Sequence, residues 1–220
     1  MPNIFTPSQD EQFITPFSPI MGYKKLSPSF VEKLNNSLND KLEDWSDRLV
    51  GKVKEELRFS DDTLKSFFEE MKDFIIRYQL NTEAYTSLGA RGLDPDSEYT
   101  IVPASGWFVR QFEGEYNPVH IHGESMLSCV GYLKLPDGIE KEWEEDYKDH
   151  HPSHGHIQFM HGSTLPYSST NFLFKPQVGD FIVFPAHMFH TVYPFKTKGE
   201  RRSFSVNFTV HRTPKEEVKE

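Results

Sequence analysis

The chain has 220 residues, of which 33 are acidic and 24 basic, for a formal charge of −9 and a pI near 5.6. Neutralising phosphates needs clustered Lys and Arg in excess, so this balance excludes a general nucleic-acid binder. Hydrophobic residues at 36% and aromatics at 14%, including 19 Phe, are enough for one core of large side chains in a single domain of ordinary size. The one cysteine, Cys129, lies in an apolar run and has no partner for an intrachain disulfide. The N-terminus lacks a basic segment followed by an apolar one, and no stretch approaches the ~18 apolar residues of a membrane span. A cytoplasmic protein without membrane contact is expected.

Residues 1–25 are rich in Pro, Ser and Thr with scattered aromatics, which reads as an extended arm ending in a short strand. Mainly helical support follows over 26–95. Ser27 suits an N-cap, Pro28 the first helical position, and Leu26 with Val31 a hydrophobic staple. Phe30, Val31, Leu34, Leu38, Leu42 and Trp45 then recur at helical spacing. The charged stretch Ser46 to Phe59, interrupted by Gly51, carries no clear assignment. A second helix opens at Ser60 or Asp61 and runs through Leu64, Phe67, Phe68, Met71, Phe74, Ile75 and Tyr78. Its broad apolar stripe fits core packing flat against a sheet and asks for no cofactor.

From about Ala90 helical periods give way to short runs separated by Gly, Pro and Asp. Strands are expected at Trp107–Phe112, Met126–Leu135, His156–Met160, Asn171–Lys175, Asp180–Pro185, His190–Tyr193 and Ser203–Val210. Their number and spacing predict a sandwich, barrel or jelly roll over 96–212, with a frayed tail at 213–220. A charged, His-rich loop lies between Glu140 and His154. The stretch from Glu140 to Tyr167 is long enough to act as a lid, with Trp107 at an entrance.

The chemistry centres on Tyr116 to Ser125. His120, His122 and Glu124 alternate there, and in a strand such residues project from one face. They make part of a metal site that needs a distant ligand to close it. Of the ten histidines, His150, His151 and His154 lie in the charged loop and read as solvated, while His156 and His161 flank a strand and read as structural. His190 opens a strand directly after the Pro185 turn, and opposing strands of a small barrel can bring it against the His120 segment. Paired ligands with a lone distant histidine match the facial arrangement of non-heme Fe(II) oxygenases, while zinc prefers a tetrahedral site; spacing alone does not separate the metals. Downstream, Arg201, Ser203, Ser205 and Asn207 share one face of the last strand, and Phe204, Val206, Phe208 and Val210 the other. An Arg with a Ser two residues on is suited to grip a carboxylate. Arg202 has the opposite parity.

Together, Asn117-Pro118-Val119-His120-Ile121-His122, the strand Leu127 to Leu133, Phe184-Pro185 with His190, and Arg201-x-Ser203-x-Ser205-x-Asn207-Phe208 resemble the 2-oxoglutarate/Fe(II)-dependent oxygenase superfamily. They are most similar to a branch found in marine bacteria and their phages, with Asn-x-x-His-x-His in place of the usual His-x-Asp. The resemblance covers roughly residues 100 to 210. It implies a mainly β fold, a double-stranded β-helix of jelly-roll type with the N-terminal helices packed outside the barrel. It also implies Fe(II) and 2-oxoglutarate as cofactors, with hydroxylation of a small molecule or peptide and release of succinate and CO₂. Arg201 and Ser203 would hold the far carboxylate of 2-oxoglutarate, with Tyr132 adding its hydroxyl. The metal ligands would be His120, His122 and His190, or, with Glu124 in place of His120, a restored His-x-Glu pair with His190. Two rival readings are a cupin-like metal enzyme that does not use 2-oxoglutarate and a non-catalytic jelly-roll binding module.

Overall fold

The structure is a computed structural model that describes residues 4–5, 9–14, 19–87, 98–144, 153–163, 166 and 169–213. In chain order the elements are β1 (Ile4–Phe5), β2 (Glu11–Ile14), β3 (Met21–Lys25), α1 (Pro28–Ser37), β4 (Glu55–Arg58), α2 (Asp61–Ser87), β5 (Glu98–Gln111), β6 (Asn117–His120) and β7 (Leu127–Lys134). They continue with α3 (Ile139–Glu144), β8 (Ile157–Met160), β9 (Asn171–Phe174), β10 (Asp180–Pro185), β11 (Phe189–Val192) and β12 (Arg201–Thr213).

The strands form two sheets, one ordered β1-β9-β8-β11-β6 and the other β2-β3-β10-β7-β12-β5-β4. From β5 onward the chain passes back and forth between them: β5, β7, β10 and β12 lie in the seven-stranded sheet, and β6, β8, β9 and β11 in the five-stranded one. Pairing among these eight strands is antiparallel throughout. This alternation is the double-stranded β-helix.

The outer face of the seven-stranded sheet carries the main core. Phe181, Phe204, Val206 and Phe208 pack there against Phe30, Phe67, Met71 and Phe74 of the two long helices, with the Phe67 and Phe204 rings 5.4 Å apart. Gly131 of β7 makes room for this contact, since a Cβ there would collide with the Phe204 ring. Cys129 is fully buried in the same core, and burial pushes its thiol well above its ordinary value.

Both helices open as their caps predict. The Ser27 hydroxyl accepts from the Phe30 N–H, and the Ser60 hydroxyl accepts from the Thr63 N–H. α1 stops at Ser37, well short of the apolar periodicity that reaches Trp45. The reason lies in polar side chains that compete for the backbone: Ser37 Oγ donates to Lys33 O, and the Asn39 side chain donates to Ser37 O while accepting from Lys41 N. Leu38 turns extended, and with Leu42 it still packs against the core from irregular chain.

Two further stretches differ from expectation. The unassigned region contains β4, which extends the seven-stranded sheet by pairing Glu55 to Arg58 with Arg110 to Trp107. The charged loop begins as α3, whose buried Glu142 accepts from the backbone N–H groups of Lys196 and Thr197, tying the loop base to the turn before β12. The switch near Ala90, His150 and His151, Tyr167 and the tail after Thr213 lie outside the described residues. Among the described residues no helix is long and apolar enough to cross a membrane, which says nothing of strands.

Candidate active site

β6 and β11 pair with His190 directly opposite His120, which brings together histidines separated by 70 positions in the chain. β6 ends at His120, so strand parity does not position His122. A turn does this instead: Ser125 N–H donates to His122 O at 3.2 Å, and His122 N–H donates to Ala186 O at 2.8 Å. The ring centroids lie 4.2 Å apart for His120 and His190, 5.2 Å for His120 and His122, and 5.1 Å for His122 and His190. One nitrogen from each ring lies within 4.8 Å of the other two.

The rings are held by their own backbone. His120 Nδ1 lies 2.8 Å from Pro118 O, and His190 Nδ1 lies 2.9 Å from Met188 O. A carbonyl can only accept, so in both rings Nδ1 carries the hydrogen and Nε2 keeps its lone pair for a ligand bond. Burial lowers the pKa of all three imidazoles, that of His122 to about 4, and the neighbouring imidazoles add to the effect at His122 and His190. The cluster is therefore neutral at neutral pH. Trp107 packs on His122 at 5.7 Å and Phe184 on His190 at 5.0 Å. Glu124 is exposed beyond the turn, and no carboxylate joins the three histidines among the described residues.

Facing them across a cavity of about 170 Å³ are Arg201, Ser203 and Ser205 on the inward face of β12. Arg201 is 1% exposed. Its Nη1 donates to Gln111 Oε1 at 2.9 Å and lies 3.5 Å from Ser203 Oγ, while Nε and Nη2 have no hydrogen-bond partner among the described residues. The guanidinium carbon sits 4.9 Å from the centroid of the Tyr132 ring. Tyr132 is fully buried, its hydroxyl has no hydrogen bond of good geometry among the described residues, and burial pushes its pKa up to about 12 against the pull of the neighbouring Arg201. Buried cations cost several kcal/mol unless paired, so two orphaned guanidinium donors fit an anion. Three neutral imidazoles, two of them with Nε2 left free, fit a divalent metal. The residues present thus suit both implied groups.

Other expected residues are engaged elsewhere. Arg202 faces out and pairs with Glu200 at 2.8 Å. Asn207 accepts from Ser128 Oγ at 2.8 Å. His154, expected to be solvated, is half-buried, with Nδ1 3.1 Å from the Glu142 carboxylate. His156 is buried against Trp143, with Nδ1 3.0 Å from His154 O, as a structural histidine would be. The sequence reading missed Gln111, which fixes Arg201 while its Nε2 donates to Glu115 O. Its signal was present, since Gln111 shares the parity of Trp107 and Val109 in the expected strand. Glu56 and Leu49, which line the same cavity, carried no such signal.

Residues 105–207 match the family model described as "Putative 2OG-Fe(II) oxygenase", a span holding all three histidines and Arg201. No curated protein matches the chain. Among solved structures, a Pseudomonas putida prolyl-4-hydroxylase is similar at a TM-score of 0.50 and 14% identity, covering 86% of this chain and 91% of that one. HygX from Streptomyces hygroscopicus, solved with nickel, 2-oxoglutarate and hygromycin B, is similar at a TM-score of 0.52 and 10% identity, covering 86% and 82%. At such identities these likenesses speak for the fold, the double-stranded β-helix already traced strand by strand. Family match, fold and donor set agree over the β half: residues 105–207 are similar to the 2-oxoglutarate/Fe(II)-dependent oxygenases, and three histidines there could hold a metal.

Proposed function

We propose that His120, His122 and His190 hold the iron, that Arg201 and Ser203 hold the far carboxylate of 2-oxoglutarate above Tyr132, and that the enzyme hydroxylates a small molecule or a peptide. The observation that carries this reading is the facing pair in one cavity: three neutral imidazoles on one sheet and a buried arginine with two orphaned donors on the other. His120 is favoured over Glu124 because its Nε2 is turned into the cluster while Glu124 sits exposed outside it. We read 96–212 as the catalytic core of a single domain supported by 26–95, in a cytoplasmic setting suggested by the lone buried Cys129.

When bound, the iron and its cosubstrate supply the oxidation, O₂ being consumed as 2-oxoglutarate is decarboxylated to succinate and CO₂ and a substrate C–H becomes C–OH. The protein's part is to bind, orient and exclude water. Pro118 O and Met188 O fix two imidazole tautomers, so no proton has to leave before metal binding. Gln111 holds one edge of the Arg201 guanidinium and leaves Nε and Nη2 for the carboxylate. Trp107, Phe184 and Val192 dry the cavity wall, which strengthens each charged contact. Peptidyl hydroxylation is the substrate class suggested by the prolyl-4-hydroxylase likeness, and a small molecule the class suggested by HygX.

The test is anaerobic titration of the metal-free protein with Fe(II) and then 2-oxoglutarate, followed by the visible charge-transfer absorption of the chelate. One equivalent of each should bind. His122→Ala should weaken metal binding by more than the ~100-fold that loss of an outer-shell partner costs. A folded protein that takes up neither group would end this reading.

A further inference from the structure

A second charged group reaches the cavity from the stretch that showed no pattern in the sequence. Glu56 lies in edge strand β4 opposite Val109 of β5, and Val109 lies opposite Ser203 of β12. Strands stand about 4.8 Å apart, so the Glu56 backbone is roughly two strand spacings from Ser203 in one cross-strand row. Among the residues lining the cavity Glu56 is the one acid, with Arg48 and Arg201 as the formal cations. It is 2% exposed, and its Oε2 has no hydrogen-bond partner among the described residues.

Burial pushes the Glu56 carboxyl up to about 7, against hydrogen bonds from the Asn117 side chain and the Gly51 backbone. A carboxyl whose whole task was to tie the Gly51 loop to β6 would have both oxygens satisfied, as buried polar atoms in structural roles nearly always are. Here Oε2, on the side of Gly51, is left over, and Glu56 lines the cavity. Fe(II) with two positive charges and Arg201 with one would exceed the two carboxylates of 2-oxoglutarate by one, which the Glu56 carboxylate would balance. What its Oε2 lacks is a donor, and a carboxylate buried without one is costly.

We propose that Glu56 is a specificity residue that receives a protonated amino group of the prime substrate, so that the substrate of this oxygenase is an amine. The inference rests on the cofactor assignment above and deepens it. Glu56 and Arg201 divide the cavity by charge: the anionic cosubstrate is drawn to the Arg201 side and repelled from the Glu56 side, leaving the β4 edge to a cationic partner.

The test uses full-length protein loaded anaerobically with Fe(II) and 2-oxoglutarate. It is titrated with the free amino acids, with short lysine-containing peptides, and with the fully N-acetylated form of each. Perturbation of the visible charge-transfer band reports binding, and succinate formed after admitting air reports coupling. At least one amine should perturb the band, and its N-acetylated form should bind at least tenfold more weakly. Response of free amino acids or of peptides distinguishes a metabolite from a protein substrate. Glu56→Gln should weaken binding of the amine at least tenfold, with its own band at saturating 2-oxoglutarate reporting that it is folded and loaded. Should that variant fail to load, the amine and acetyl comparison on the unaltered protein decides. Equal binding of the acetylated form, full retention of amine binding by Glu56→Gln, or no response to any amine overturns the proposal. Absence of the band on adding 2-oxoglutarate defeats the underlying assignment instead, and this inference with it.

Discussion

The two faces of β12 put different physics on alternate residues of one strand. Outward, Phe204, Val206 and Phe208 are fully buried among aromatic rings from α2, β10 and the segment before α2. Inward, Arg201 and Ser203 are nearly as deeply buried, yet the guanidinium keeps two nitrogens unpaired among the described residues. Burial depth is therefore not what separates a stabilising residue from a functional one here. The outward residues have their packing partners in the folded chain, whereas Arg201 has Nε and Nη2 left without hydrogen-bond partners among the described residues, as the proposed carboxylate site would need.

Removing the outward side is expected to have the largest effect. Phe204→Ala should cost about 3–5 kcal/mol of folding stability, measured by denaturant unfolding, while whatever remains folded binds 2-oxoglutarate as before. Arg201→Met should do the reverse. It should weaken 2-oxoglutarate binding by the equivalent of about 2–5 kcal/mol and leave the metal-free protein as stable as before or more so, since an unpaired buried charge is removed. If Arg201→Met instead destabilised the protein as strongly as Phe204→Ala, the contrast between the two faces would be lost.

A pH effect of intermediate size follows from the histidines. His120, His122, His156 and His190 are all held below their ordinary value of 6.5 by burial, His122 and His156 at about 4. As the pH falls the unfolded chain takes up protons before the folded one, so folding stability drops from about pH 6.5 down toward pH 4. Thermal unfolding of metal-free protein across this window should show the decline, and bound metal should shift it to lower pH. A flat profile would mean these imidazoles are not held neutral. The smallest effect belongs to Glu124→Ala, which should change Fe(II) affinity less than about twofold, within the ±0.5 kcal/mol usual for exposed sites. A loss like that of His122→Ala would return Glu124 to the ligand set.

Much of this was legible in single residues. Ser27 and Ser60 announced the helix starts because capping is local chemistry, and the alternation of β12 separated Arg201 from Phe204 because strand period is local geometry. β4 was not legible. Glu-Glu-Leu-Arg has no alternation of its own, and pairing with β5 together with the 2.6 Å ion pair of Glu55 and Arg110 makes it a strand. His122 was singled out for the wrong local reason, since a turn and the Ala186 carbonyl position it after the strand has ended.

By itself, then, the sequence determined the inventory: a β half with helical support, a His-x-His segment, a distant His190 and an arginine of inward parity. These follow from interactions within a few residues of each other. Tertiary structure alone decided the pairing of His120 with His190, the exclusion of Glu124 from the cluster, the anchoring of Arg201 by Gln111 and the arrival of Glu56 at the cavity. Each of these depends on strand register and on which atoms are left dry and unpaired, and neither is set until both sheets close on one another.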